Sequence, residues 1–565
     1  MKRKSSYLLC ILVILLLTRC SKQDAASQDI ARRIAAKPKA LAVTSYPSYN
    51  TSPLPPDQTG VTSTAAQLAT KFQVGWNIGN TLEASGGETA WGNPMVTQAL
   101  IDEVKSAGFT AVRIPCDWDQ YANSSTAQIQ QAWLTRVQQV VQYCVNDGLY
   151  VILNIHWDDG WLEDNCTTTA QVAVNAKQKA FWEQIATQMR GFDEHVIFAS
   201  ANEPAVSDAT GMGVLLSYHQ TFVNAVRSTG GHNSYRVLLI QGPTTSIDYT
   251  NSLMNTLPTD QAANRLMVEV HYYTPFNFCG LTADASWGNM FYYWGSGYHS
   301  TTDASRNSTF GEESDAPSEF PLMQKKFINN GIPVILGEYG AIRRLTTLSE
   351  DALTLHLAGR AYYINYITHQ ALQYGLHPFY FDDGSTGNNA FRIINRQTNT
   401  AADQQGLAAI KQGAQNGTSS TIQIGQVYEI FNRNSFKALD IYGAGTVNQT
   451  VADQWDYTAG TNQQFMIQDA GSGYYRLTPM NATGKCLEVY NWSASNGGQV
   501  DIWDYNGGSN QKWTIQLTDN GYYKIINVNS GKALDLYQLS LNNGRVVDQW
   551  DYNGGRNQQW GFVKP

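Results

Sequence analysis

Charge is scarce in this chain. Asp, Glu, Lys and Arg make up only 15% of its 565 residues, and their balance is acidic, at −8. A surface that holds nucleic acid needs a basic excess, so the composition argues against that partner. Cysteine is scarce as well: seven residues, at 10, 20, 116, 144, 166, 279 and 486, with no Cys-x-x-Cys pair. This spacing gives neither a zinc site nor a disulfide framework, and no metal or other cofactor is expected. One bridge, such as Cys166 with Cys279, stays open. The apolar run 7–17 is too short for a comfortable membrane span. No Gly-x-Gly-x-x-Gly loop follows the first strand-like run, which weakens a doubly wound dinucleotide-binding sheet as an alternative fold.

Aromatic residues are abundant, at 12%, with 15 Trp and 31 Tyr. Flat apolar rings are what sugar faces stack on. The N-terminus reads as an export signal, residues 1–20: a basic start, Lys2-Arg3-Lys4, the apolar run 7–17, then Thr18-Arg19-Cys20. A Cys directly after the apolar core resembles the lipid-attachment site of a bacterial lipoprotein, although Arg19 departs from the small residue usual there. Lipidation at Cys20 would anchor an outer-membrane or cell-surface protein; without it the product is secreted or periplasmic. Residues 21–60, rich in Ala, Ser and Pro, read as a flexible tether.

From there apolar, β-rich runs alternate with helical ones. Eight strand-like runs cover 72–80, 111–118, 150–158, 196–204, 237–243, 266–275, 333–341 and 376–384, with helical stretches such as 96–106, 129–146, 176–190 and 215–228 between them. Near-continuous apolar strands separated by helices mean a parallel sheet covered by helices, and eight units make a (β/α)₈ barrel over residues 61–413. Active sites of such barrels lie at the C-terminal strand ends. Arg113, His156, Asn202, Glu203, His271, Tyr273 and Glu338 gather there, on five different runs. Glu203 in Ala201-Asn202-Glu203-Pro204 and Glu338 in Gly337-Glu338-Tyr339-Gly340 each end a strand, where an unemployed carboxylate is costly. Paired carboxylates roughly 5 Å apart serve glycoside cleavage with retention, although a sequence cannot measure that separation. Asn202 is placed to donate to a sugar hydroxyl. Arg113, His271 and Tyr273 are placed to donate to one carboxylate, so that two like residues take different roles. Trp76, Trp157 and Trp161 read equally as core or as sugar platforms.

After a linker at 414–424, residues 425–565 hold an internal repeat. Asn462-Gln463-Gln464-Phe465, Asn510-Gln511-Lys512-Trp513 and Asn557-Gln558-Gln559-Trp560 recur at intervals of 48 and 47 residues. Each is preceded by an acid (Asp440, Glu488, Asp535) and a Trp (Trp455, Trp503, Trp550). Three copies of short alternating strands suggest a closed three-fold β structure.

The frames Gly75-Trp76-Asn77-Ile78-Gly79-Asn80-Thr81-Leu82, Arg113-Ile114-Pro115, Asn154-Ile155-His156, Asn202-Glu203-Pro204, His271-Tyr272-Tyr273 and Gly337-Glu338-Tyr339-Gly340 resemble glycoside hydrolase family 5, especially its bacterial endo-β-1,4-glucanase branches. The resemblance covers about residues 62–413. It implies a retaining barrel enzyme without metal, with Glu203 as acid/base and Glu338 as nucleophile. Arg113, His156, Asn202, His271, Tyr273, Trp76, Trp157 and Phe381 would bind substrate. Two positions depart from the family pattern: Phe381 stands where a Trp is usual, and Trp157 where many relatives have a second His. The repeat resembles ricin-type β-trefoil lectins and carbohydrate-binding module family 13. That likeness implies sugar pockets made of Asp440, Trp455 and Asn462, of Glu488, Trp503 and Asn510, and of Asp535, Trp550 and Asn557, with the Gln-x-Trp ends in the core. Glu488 for Asp and Phe465 for Trp are departures, which put the second pocket in question and imply local repacking in the first repeat. A trefoil with one or no working pocket is the competing reading.

The expected partner is a plant cell-wall β-glucan (cellulose, mixed-linkage glucan or xyloglucan), cut internally by a monomer, with sugar ligands on the trefoil. A β-mannanase or xylanase on the same barrel is the alternative within enzymes, and a non-catalytic glycan-binding lipoprotein the alternative outside them. The aromatic loop from Phe276 to Lys325 is expected to wall part of the cleft.

Overall fold

The computed structural model describes residues 45–416, 422–518 and 521–565. The export signal, Cys20, the first part of the tether and the centre of the linker lie outside the described residues. No described helix is long and apolar enough to cross a membrane. The chain forms two compact units.

The first unit comprises the described residues up to Tyr292, Asp303–Ile342 and Tyr374–Thr400. Its centre is a closed barrel of eight strands paired in chain order. They are β1 (Gly75–Ile78), β2 (Ala111–Ile114), β3 (Tyr150–Asn154), β4 (Val196–Ala199), β5 (Leu238–Gln241), β6 (Leu266–Tyr272), β7 (Val334–Tyr339) and β8 (Leu376–Asp382). Neighbours run parallel throughout, and β8 closes on β1 with Trp76 opposite Tyr380. Each strand lies within one of the expected runs, and Arg113, His271 and Glu338 fall in the last residues of β2, β6 and β7. Helices such as Gln98–Ser106, Gln131–Asn146, Gln171–Met189 and Ala209–Ser228 separate the strands. The N-terminal mouth is plugged by the short helix Ala65–Ala69, capped by Thr64, and by Phe72, whose ring meets Tyr150, His377 and Phe379. That closure leaves the other mouth for chemistry.

Residues 45–60 were expected to be loose tether, yet the stretch around 48–57 lies on the barrel's outer helices. The Tyr49 N–H donates to buried Glu183 at 2.7 Å and the Leu54 N–H to the Thr229 carbonyl at 3.1 Å. Among the described residues, Cys116, Cys144, Cys166, Cys279 and Cys486 are buried and none is in a disulfide, so Cys166 and Cys279 form no bridge.

The second unit comprises Tyr293–Thr302, Arg343–Gln373 and Ala401–Pro565. Helices Glu350–Gln373 and Gln404–Asn416 are joined by buried Arg360 on Asp403 and by Asn365 on the Ala409 carbonyl. Trp294 is buried against Tyr362 and Tyr363, and Tyr293 and Tyr298 are buried too. In the first unit Phe291 is likewise buried. These four rings of the aromatic loop are thus packed inside the protein, where burial of apolar surface stabilises them. The rest of the unit is a 12-stranded antiparallel array whose core includes Leu439, Leu487 and Leu534 and, from the three Gln-x-Trp/Phe ends, Phe465, Trp513 and Trp560. The ring of Phe465 fills its place without a cavity large enough to expose it.

Candidate active site

The site is built on the ends of β1, β2, β4, β6 and β7. A bulge sets its geometry. Pairing between β6 and β7 slips after Val270–Leu336, so that His271 lies opposite Glu338 and Gly337 is the extra residue. A bulge re-aims the side chain that follows it. Here only glycine fits, because a Cβ at 337 would lie 1.9 Å from Glu269 Oε1. The Gly337 carbonyl is held by Asn77 Nδ2 at 2.9 Å.

Glu338 is buried and held by two donors: Arg113 Nη1 reaches its Oε1 at 2.7 Å, and the Tyr273 hydroxyl its Oε2 at 3.1 Å. Burial first, then Glu338, pushes the Tyr273 phenol well above its ordinary value, so it stays a neutral donor. Arg113 is fully buried and also donates to Asn77 Oδ1 at 3.0 Å and to Asn202 Oδ1 at 2.7 Å, while its Nε lies 2.8 Å from Glu269. With its carbonyl oxygen held by Arg113, Asn202 offers a ligand its amide N–H groups.

His271 lies between three carboxylates. Its Nδ1 is 2.9 Å from Glu203 and 3.7 Å from Glu338, and its Nε2 is 3.3 Å from Glu269. Burial works against its charge, but Glu338, Glu203 and Glu269 outweigh that penalty and raise it to about 9. The imidazolium therefore donates from both nitrogens, mainly to Glu203 and Glu269. Glu203 is its closer partner across the mouth and Glu338 the more distant one. Glu269 is buried and meets Arg113, His271 and Gln241 Nε2, the last at 2.5 Å. Burial opposes its charge, yet Arg113 and then His271 hold its carboxyl below the usual range.

Glu203 differs from Glu338 in exposure: 26% of its side chain meets solvent, against 8%. Polar atoms of Glu203, His271 and Glu338 all lie within 4.8 Å of one another. Such a group is close enough to hold a metal ion. In this structure both imidazole nitrogens face carboxylates, Nδ1 toward Glu203 and Nε2 toward Glu269. The arrangement suits proton transfer between carboxylates.

His156 is half-buried just beyond β3, with Nδ1 3.2 Å from Asn154 Nδ2. Trp157 beside it is 37% exposed on left-handed backbone, at φ +56°. Phe381 is half-buried, pairs with Asn77 across β8 and β1, and stands edge-on to Phe391. Trp76 is not a platform. It is fully buried, its Nε1 donates to Asp382 at 3.0 Å, and Arg396 lies over its ring. Trp161 is buried as well, donating to Asp158 at 2.8 Å. Both indoles satisfy their one donor inside the protein, which is how a buried Trp is accommodated.

Glu269, Asn77, Gln241 and Glu163 escaped the sequence reading. Glu269 had a signal: it stands two residues before His271, and alternate residues of a strand share a face. The partners of Asn77, Gln241 and Glu163 come from other strands or loops, so no local pattern marked them.

In the trefoil, each expected acid meets its expected amide. Asn462 donates to Asp440 at 2.7 Å, Asn510 to Glu488 at 3.2 Å and Asn557 to Asp535 at 2.8 Å. Glu488 also accepts from Gln511 at 2.9 Å, so the longer acid of the second repeat keeps its amide contact. Trp455 and Trp550 are exposed, and Trp503 is half-buried. A second acid faces the first across the strand pair in every repeat: Asp453 opposite Asp440, Asp501 opposite Glu488, Asp548 opposite Asp535. Burial first and then the facing acid push Asp453 up to about 8 and Asp548 to about 7; Asp501 also reaches about 7.

Residues 75–382 match the family model for cellulases of glycosyl hydrolase family 5, and residues 416–503 and 509–564 match that for ricin-type β-trefoil lectin-like domains. Endoglucanase A of Paenibacillus barcinonensis is 36% identical over 402 residues, which is 66% of this chain and 96% of that protein. A xyloglucan-specific endo-β-1,4-glucanase of Bacteroides ovatus is 35% identical over 387 residues, 65% of this chain and 74% of the relative. The solved Bacteroides ovatus family 5 xyloglucanase, in complex with a XXXG heptasaccharide, superposes with a TM-score of 0.60 at 34% identity, covering 66% of this chain and 81% of that one. With the closed barrel and the two facing carboxylates in place, these matches mean that the chain belongs to glycosyl hydrolase family 5.

Proposed function

We propose that this protein is a retaining endo-β-1,4-glucanase acting on cellulose, mixed-linkage glucan or xyloglucan. One observation carries the reading: the facing oxygens of Glu203 and Glu338 lie within 4.8 Å, close to the roughly 5 Å of retaining enzymes and well short of the roughly 6.5–9.5 Å that leaves room for an attacking water. Roles follow from the partners. Glu338, held by Arg113 and Tyr273, attacks the anomeric carbon. Glu203, more exposed and hydrogen-bonded to a group that itself exchanges protons, gives its proton to the departing glycosidic oxygen. The resulting glycosyl ester on Glu338 is cleaved by a water whose proton Glu203 takes, which returns both residues to their starting state. Arg113 ties Glu338 to Asn202, so the nucleophile and an amide facing the same sugar move as one piece.

In this reading Trp157 and Phe381 offer ring surfaces to the sugar, and the trefoil pockets hold the enzyme on its polymer through Trp455, Trp503 and Trp550. Export, with lipid attachment at Cys20, is the part of this reading supported by the basic start and the apolar run alone. A Cys20→Ser variant should leave the membrane fraction; unchanged fractionation would discard the anchor. Reducing-end release across soluble glucans, mannans and xylans, with the product anomer followed by NMR, tests the activity. β-Glucan cleavage with retained configuration is expected. Cleavage confined to mannan or xylan would replace the substrate, and inversion would replace the roles of the two glutamates.

A further inference from the structure

Glu163 is a buried carboxyl that the chemistry above does not use. It opens a short turn, Glu163–Asn165, in the segment after β3. Its side-chain Oε1 accepts from the Asn202 N–H at 3.1 Å, and its backbone carbonyl accepts from the Ala205 N–H at 2.8 Å. Those two amides flank Glu203 and Pro204, so a single residue fastens the acid/base peptide on both sides. The second oxygen of the Glu163 carboxyl, Oε2, is buried and makes no hydrogen bond. Burial pushes it up to about 8, and Asp164 beside it adds to that shift; the Cys166 thiol is the other titratable group facing it. A carboxyl in that state accepts from an amide without placing a full charge beneath the catalytic pair.

We propose that Glu163 is a positioning residue for the reaction, fixing the Asn202–Glu203 peptide so that the Glu203 carboxyl sits in line with the departing glycosidic oxygen. The inference rests on Glu203 being the acid/base. Misplacing a proton donor by about 1 Å costs on the order of a hundredfold in rate, whereas a leaving group that departs without a proton is indifferent to it.

The test uses two variants and two substrates. Glu163→Asp withdraws the carboxyl by one methylene, and Glu163→Gln keeps the length and the acceptor oxygen. On the preferred β-glucan, kcat/KM of E163D should fall about 10- to 100-fold. On 2,4-dinitrophenyl β-cellobioside, whose leaving group needs no protonation, it should fall less than about threefold. E163Q should recover most of the loss on the polymer. Thermal unfolding of each variant shows that the fold is kept. Equal losses of E163D on both substrates, or an E163Q as damaged as E163D, would overturn the proposal. Glu203→Ala, run on the same pair, separates the two ideas. If E203A shows no preference for the activated substrate, the acid/base assignment itself falls. If E203A shows it and E163D does not, only the positioning role is lost.

Discussion

The barrel and the trefoil both present acids in polar pockets, but they surround them with opposite partners. In the barrel, Glu338 and Glu269 meet Arg113, His271 and Tyr273, which are cations or strong donors fixed in place. In the trefoil, Asp440, Glu488 and Asp535 meet a neutral amide on one side and a second acid on the other. A carboxylate beside a guanidinium keeps its charge in a dry site and is ready to attack carbon. A carboxyl that faces another carboxyl with no cation between them has its charge disfavoured, and the two titrate as a pair. The same residue type therefore meets cations and strong donors in one region and a neutral amide and a second acid in the other, and the difference lies in the neighbours.

The hardest way to break this comparison is Glu338→Gln. Reducing-end release should drop by at least about a thousandfold, because an amide oxygen is a poor nucleophile. Binding to insoluble glucan should not change. A variant that keeps a tenth of the parent rate would end the distinction between the two regions. Next in size is Arg113→Met, read by denaturant unfolding of the barrel. Removing the one guanidinium that serves both Glu269 and Glu338 leaves buried acids uncompensated and should cost about 3–5 kcal/mol. The sign with pH is specific. Arg113 holds Glu269 below the usual carboxylate range, so its contribution is present above the unfolded value and lost as pH falls. The stability gap between parent and R113M should accordingly narrow toward acid pH.

The fold was legible because its signals are local. Eight apolar runs and three repeats, each ending in an Asn-Gln frame, are patterns along the chain, and the closed barrel and the antiparallel array followed from them. The two central glutamates were legible because strand-end acids are costly and stand out. What stayed hidden depends on the third dimension. Trp76 and Phe381 face each other's strands in β1 and β8, yet one indole is sealed against Asp382 and Arg396 while the phenyl ring is half open. Nothing in their sequence frames distinguishes those fates. The acid pairs of the trefoil were on view as Asp453, Asp501 and Asp548, but their meaning required the strand register that sets each opposite its partner.

A smaller effect sharpens the trefoil's side of the comparison. Trp455→Ala and Trp550→Ala each remove an exposed indole beside a pocket. Each should weaken retention on insoluble glucan by about 1 kcal/mol, a factor of about five, while kcat on a short soluble substrate stays at the parent value. Affinity electrophoresis through gels with and without polysaccharide measures the first, and initial rates measure the second. Loss of retention in neither variant would leave the trefoil as a scaffold.

The smallest expected effect tests the shared proton itself. Both oxygens of Asp453 are buried without a donor, and Asp440 is its cross-strand neighbour. A proton held between the two acids resolves that shortage. Asp453 is pushed up to about 8 in the fold from an ordinary 3.8. A raised acid contributes stability that is complete below the unfolded value and is lost as pH climbs toward the folded one. The trefoil should therefore lose stability between about pH 4 and pH 8. In Asp453→Asn the amide donates to Asp440 at every pH, so one of the three pairs no longer contributes to that slope. Compared with the parent, D453N should melt no higher near pH 5 and measurably higher near pH 8, with Asp501 and Asp548 still supplying a residual slope. Tryptophan fluorescence during thermal unfolding of the full chain follows the difference. Parallel curves for parent and variant across that range would show that no proton is shared, and the two regions would then differ only in which partner, guanidinium or amide, faces the acid.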